Sequence, residues 1–134
     1  MTDKMNKSML MKSFNTHFFE LLQDIITIFP ENKDIQYAKT SFESLKQMNP
    51  ALIIKVWFSY IYTPYATIID NGDISFFFDK SYENDLSMVS NAKQIMEMID
   101  KLREPVRNMS DLSKQHSMKY IQNLSKLSVL YESM

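Results

Sequence analysis

Two histidines are the side chains in this sequence best suited to acid–base or metal chemistry. His17 and His116 lie far apart along the chain, and neither belongs to a metal-ligand spacing such as H-x-x-x-H. A catalytic histidine needs a partner that orients it or shifts its pKa, and neither residue stands in a motif that supplies one. We therefore expect both histidines to lie at the surface or at the edge of the core.

Five carboxylates between residues 70 and 85 could supply oxygen ligands for a cation. They are Asp70, Asp73, Asp79, Glu83 and Asp85. An EF-hand needs acidic residues before its glycine and a glutamate at the end of its loop, and this order is missing here. We interpret the carboxylates as a solvated acidic loop and predict neither a metal ion nor a cofactor.

Composition excludes several classes of enzyme. The chain has 134 residues with no Cys and one Gly, whereas average usage would give about nine glycines. Phosphate-binding loops, nucleophile elbows and dinucleotide fingerprints need several glycines, because their backbone approaches a ligand closely or adopts positive φ. Without Cys there is no zinc-thiolate site, disulfide framework or Cys nucleophile. The sequence predicts a protein that is not an enzyme.

An aromatic and acidic segment after the glycine is the candidate contact with a protein partner. Phe76, Phe77, Phe78 and Tyr82 would be its apolar anchors, and carboxylates flank them. Apolar anchors inside a polar rim are typical of protein interfaces. The alternative is that these phenylalanines cover the core of the domain.

A nucleic-acid contact is the other candidate, on the last two predicted helices. Arg103, Arg107 and Lys119 are the residues that would make it. Asp100 stands three residues before Arg103, so part of this positive charge is matched locally. The formal net charge is −1, and no segment is basic enough to predict a nucleic-acid surface from charge alone.

Apolar residues at three- and four-residue spacing predict a succession of helices. Residues 1–12 show no clear period and are predicted to be a flexible tail. Ser13 would cap the first helix, which Pro30 would end. Asn32 would cap the second helix, and Asn49 with its following proline would separate it from the third.

The second half of the chain continues the pattern. Residues 52–62 are apolar nearly all round, which predicts a central buried helix. Thr63-Pro64 would start a short fourth helix, closed by Gly72 in a left-handed conformation. Residues 73–86 are predicted to be a short helix plus a loop. A long helix would follow from Ser87 or Ser90, with a kink or an end near Glu104 because Pro105 lacks an N–H, and Ser110 would cap the last helix.

These elements predict a compact all-α domain of five to seven helices over residues 13–134, with a buried central hydrophobic helix. Residues 56–69 are strongly apolar, but Pro64 interrupts them and they are shorter than the ~20 residues of a membrane span. The apolar stretch near the N-terminus is too short for a secretory signal. We expect an intracellular protein with no membrane contact.

Several stretches of the chain together resemble short uncharacterised proteins of nucleocytoplasmic large DNA viruses, the giant viruses of protists and algae. The stretches are FNTHFFELLQDIITIFPENKDIQYAKTSF (14–42), NPALIIKVW (49–57), IDKLREPVRNM (99–109) and SMKYIQNLSKLSVLY (117–131). The resemblance implies a viral origin, which agrees with a composition rich in residues that have A/T-rich codons. It supplies no catalytic residue.

The functional expectation is therefore a viral protein that binds other proteins. It would be a virion or assembly component, or an adaptor, located in the host cytoplasm or in the virion. Its partner would be a viral or host protein, and a homo-oligomer is one option. The alternative is a nucleic-acid-associated factor in viral transcription or genome packaging.

Overall fold

Side-chain caps and prolines set most of the helix boundaries in this protein. The computed structural model describes residues 6–74 and 90–134. In chain order its elements are α1 (Lys7–Ile28), α2 (Lys33–Met48), α3 (Leu52–Val56), a π-helical segment (Trp57–Tyr62), α4 (Thr63–Asp70), α5 (Ser90–Arg107) and α6 (Asp111–Glu132). The described residues contain no strand, and the predicted all-α fold is confirmed.

Two predicted N-caps are present. The side-chain oxygen of Asn32 accepts a hydrogen bond from the backbone N–H of Ile35 at 3.2 Å, and the hydroxyl of Ser110 accepts one from Ser113, also at 3.2 Å. Each bond satisfies a donor that the first helical turn leaves unpaired. α1 ends just before Pro30, as predicted.

The N-terminal boundary differs from the prediction. The tail predicted for residues 1–12 is wrong from residue 7 onward, and Ser13 lies inside α1 and is not its cap. Asn6 is the N-cap, and its Oδ1 accepts a hydrogen bond from the backbone N–H of Met9 at 2.8 Å. Leu10 is only 2% exposed. Its burial offsets the conformational entropy lost when this extra turn is ordered.

The predicted third and fourth helices form one helical rod, Leu52–Asp70. Thr63 does not break the rod, because its N–H and its hydroxyl both donate to the carbonyl of Phe58, the hydroxyl at 2.7 Å. This i→i+5 bond belongs to the π-helical segment, and Pro64 then falls in the first turn of α4, where an N–H is least needed. The rod changes direction at Tyr65, whose φ of −121° and ψ of 22° are not helical.

The end of α4 matches the prediction closely. Gly72 has φ of +77°, and its N–H donates to the carbonyl of Ile69 at 2.9 Å while the N–H of Asp73 donates to Ile68 at 3.2 Å. These two bonds form a Schellman motif, which needs a residue with positive φ. Gln122 of α6 also donates to the carbonyl of Ile69, at 2.9 Å, and ties the end of α4 to α6.

The core forms where α1 packs against α6, α2 and α3. Phe14 and Phe18 make T-shaped contacts with Trp57, and Phe18 also contacts Phe42 with 4.8 Å between ring centroids. The predicted central helix is partly buried. Its buried residues are Ile53, Ile54, Val56, Trp57, Ile61 and Ile69.

Within the described residues, Leu52–Asp70 is also the segment long and apolar enough to cross a bilayer, with a mean hydropathy of 1.3. Pro64 does not end this segment, but the backbone kinks at the next residue, Tyr65. One such helix is weak support for a membrane span, because a core helix of a soluble domain meets the same criterion. Here its apolar face lies against α1, α2 and α6.

α5 begins at Ser90, one of the two predicted starts, and runs to Arg107. It therefore passes the end predicted near Glu104, and Pro105 is buried inside its last turn. The helix end predicted near Glu104 is therefore wrong, while the alternative of a kink at Pro105 stays a prediction.

The position of Leu10 gives a test of the N-terminal boundary. Leu10→Ala should lower the free energy of unfolding by about 2–5 kcal/mol, because it leaves a cavity in the core. Met9→Ala is the matched control, since Met9 is 49% exposed, and should change stability by less than about 0.5 kcal/mol. Urea unfolding followed by circular dichroism measures both. Equal and small effects would mean that residues 7–12 do not pack on the core.

Candidate functional site

The predicted protein-contact residues cannot be placed. Phe76, Phe77, Phe78 and Tyr82 lie outside the described residues, as does most of the segment 73–86 that was predicted to be a short helix plus a loop. Both therefore stay predictions. The candidate site is built from residues 6–74 and 90–134.

Arg103, one residue of the predicted nucleic-acid contact, is buried. Arg103 is 7% exposed, and its Nε donates to Asp100 Oδ1 at 2.6 Å. The neighbouring carboxylate allows the guanidinium to be buried, since a buried charge needs a partner. Arg107 is exposed and 3.5 Å from Glu104, and Lys119 is exposed on α6. The three basic residues do not form one exposed surface.

The structure brings the two histidines together on one tyrosine. Tyr120 lies between them, with ring centroids 4.7 Å from His17 and 5.6 Å from His116. The packing of α1 along α6 creates this aromatic cluster. His17 is partly exposed and His116 is exposed, so the predicted edge and surface positions are confirmed, although their meeting was not predicted.

Carboxylates of α1 surround the aromatic cluster. Burial raises the pKa of Tyr120, and the charges of Asp24 and Glu20 and a hydrogen bond to Asp24 raise it further. His17 Nδ1 is 3.2 Å from Glu20 Oε1, and its Nε2 is 3.4 Å from Asn123 Nδ2. Both ring nitrogens of His17 are therefore engaged, which suits a tie between α1 and α6 better than a catalytic base.

A second candidate is an apolar groove between α6 and the helical segment Leu52–Asp70. We call it the α6 groove. It has a volume of about 360 Å³ and is lined by Tyr62, Asp70, Lys126, Val129 and Leu130. Tyr62 donates from its hydroxyl to Asp70 Oδ2 at 3.3 Å. Leu130 is 52% exposed, so the groove presents apolar surface between one acidic and one basic side chain.

The exposure of Leu130 follows from the way α6 is rotated. The spacing of apolar residues alone predicts that Leu130 and Met134 lie on the buried stripe of α6, yet both are exposed. Met118 and Ser125 of α6 are buried, and the centre of the buried stripe runs through Ser117, Ile121, Leu124, Ser128 and Tyr131. These residues recur at alternating four- and three-residue spacing, which is the signal that could have identified the core face. Two of these five residues are serines, so the spacing is not visible when only apolar residues are counted.

Metal binding and nucleophilic chemistry were considered for the sites formed by the described residues. Within them, no group of three or more His, Cys, Asp or Glu side chains is placed to hold a metal ion. Burial raises the pKa of Tyr62, with the charge of Asp70 and their hydrogen bond adding to the effect. A phenol with a raised pKa stays protonated at neutral pH and is a poor nucleophile.

The fold and the groove define a small all-α domain with exposed apolar side chains in one groove. No family model, curated protein or solved structure matches the chain.

The aromatic cluster predicts a titration shift. Asp24→Asn should lower the pKa of Tyr120 toward 10.0, because it removes a negative charge and a charged acceptor while the desolvation remains. Carbon-13 NMR of the tyrosine Cζ measures the midpoint. Glu132→Gln, about 18 Å along α6 from Tyr120 at 1.5 Å per residue, is the control. An unchanged midpoint in Asp24→Asn would contradict the contact.

The same shift fixes the sign of a stability effect. The folded state holds the Tyr120 proton to higher pH than the unfolded state does, because the folded pKa is raised above 10.0. Its contribution to stability is therefore complete below pH 10 and is lost as the pH rises through the folded pKa. Asp24→Asn should make this alkaline loss smaller.

Proposed function

We propose that this protein is a non-enzymatic viral protein that acts inside the host cell by binding another protein, as a virion or assembly component or as an adaptor. The α6 groove is the observation that carries the proposal. It offers exposed apolar side chains at Val129 and Leu130, with Asp70 and Lys126 at its edge. Apolar area inside a polar rim is the usual anatomy of a protein interface.

The groove also indicates the chemistry of the partner. A complementary partner places an apolar side chain against Val129 and Leu130, a basic group near Asp70 and an acidic group near Lys126. Among the described residues Lys126 has no ion-pair partner, and Asp70 accepts a hydrogen bond from Tyr62 alone. Both charges are therefore available to a partner, and opposite charges across an interface favour one orientation of binding.

The nucleic-acid alternative has less support. It depended on Arg103, Arg107 and Lys119, and the burial of Arg103 against Asp100 removes one of the three. Arg107 also lies within 3.5 Å of an acidic side chain, Glu104. Non-specific binding to nucleic acid grows with the number of phosphates that free cations neutralise, so this loss weakens the alternative directly.

A pair of leucines on α6 tests the proposed contact. Leu130→Lys should reduce recovery of the partner by about 30-fold, since charging a central apolar anchor removes a hot spot worth about 2 kcal/mol. Leu112→Lys is the matched control, because Leu112 is 77% exposed on the same helix but does not line the groove. Affinity capture from lysate of the producing cells, with quantitative mass spectrometry, measures the recovery.

The proposed contact predicts that the two leucine variants differ in partner capture. A partner should be captured by the unmodified protein and by Leu112→Lys, and lost with Leu130→Lys. Circular dichroism and thermal unfolding of both variants check that the fold is unchanged. Equal capture by the two variants would show that the groove is not the contact.

A further inference from the structure

We infer that the partner of the α6 groove is a second copy of this chain, related to the first by a two-fold axis. This inference rests on the proposed function and gives the partner an identity. A two-fold interface uses the same patch on both chains, so the patch has to be complementary to itself. The groove contains both charges and apolar side chains that could pair with the same residues of a second copy.

The charges of the groove meet the requirement. Asp70 comes from the end of α4 and Lys126 from the middle of α6, and both line the groove. They make no ion pair with each other within the chain. A two-fold rotation exchanges the two sides of the patch, so Asp70 of each copy can face Lys126 of the other. One acid and one base in each copy then give two intermolecular pairs.

The apolar part of the groove is also complementary to itself. Leu130 is half-exposed and stands beside Val129, so each copy supplies both an apolar side chain and an apolar surface to receive it. Ile68 and Met134 add exposed apolar side chains on the same two elements, α4 and the end of α6. Burying these side chains on each other removes them from water in both chains at once.

The size of the surface sets the strength expected for the dimer. A standard interface buries about 800 Å² on each partner, about a tenth of the 7607 Å² surface of this chain. The groove is lined by five residues, fewer than the about 20–30 residues that each side of a standard interface supplies. We therefore expect a weak dimer that forms only at high protein concentration.

Charge reversal with mixing tests the pairing. Asp70→Lys alone places two bases at each intermolecular contact, and Lys126→Asp alone places two acids there, so each variant should be a monomer. An equimolar mixture should form heterodimers, because the introduced lysine meets the introduced aspartate while the native pair is kept. Sedimentation equilibrium at concentrations up to about 1 mM covers the range in which a weak dimer forms.

Matched controls separate the groove from a general effect of charge. Glu43→Lys on α2 and Lys119→Asp on α6 make the same charge changes at exposed positions that do not line the groove. Both should dimerise as the unmodified protein does. Circular dichroism and thermal unfolding check the two groove variants, since Asp70→Lys also removes the hydrogen bond from Tyr62.

The outcomes are distinct. Dimerisation of the unmodified protein, loss in both single variants and recovery on mixing support the inference. A monomer at every concentration overturns it, as does a dimer that both single variants keep or that mixing does not restore. A monomer whose groove still captures a different protein, sensitive to Leu130→Lys, overturns the second copy but leaves the proposed function standing. A monomer that captures nothing overturns both.

Discussion

The buried indole N–H of Trp57 needs an acceptor inside the core, and the arrangement of the helices depends on how it is satisfied. Its Nε1 donates to the hydroxyl of Ser125 at 3.0 Å. Ser125 donates in turn to the carbonyl of Ile121 at 2.8 Å, so neither polar side chain is left unpaired. An unpaired polar group here would cost about 1–3 kcal/mol. Phe14 and Phe18 pack against the indole in T-shaped contacts, with ring centroids 5.9 Å and 6.2 Å from it.

This hydrogen bond also fixes the rotation of α6. Because Ser125 faces Trp57, Leu130, which lies about 140° further around the helix, turns toward solvent. Trp57 is itself the first residue of the π-helical segment, whose wider turn rotates Tyr62 relative to a regular α-helix. Tyr62 and Leu130 both line the α6 groove. A requirement of the core therefore places apolar side chains at the surface.

The features that could be predicted from the sequence are those set by a few neighbouring residues. Asn32 and Ser110 cap their helices, because the donors they satisfy lie three residues away. Gly72 adopts positive φ because the end of α4 requires it within the same turn. The boundary at Ser13 was wrong because Leu10 is the single buried apolar anchor of the extra turn, and one residue does not establish a period.

The candidate sites could not be predicted in the same way, because they depend on which helix faces pack together. His17 and His116 meet on Tyr120 only because α1 lies along α6. The apolar spacing of Leu130 suits a buried stripe, yet serines occupy the core face in its place. A serine can be buried in a helix when its hydroxyl bonds to a carbonyl of the preceding turn, as Ser128 does at 2.7 Å. Its small side chain then allows close packing, so a helix can bury its serines and leave its leucines for a partner.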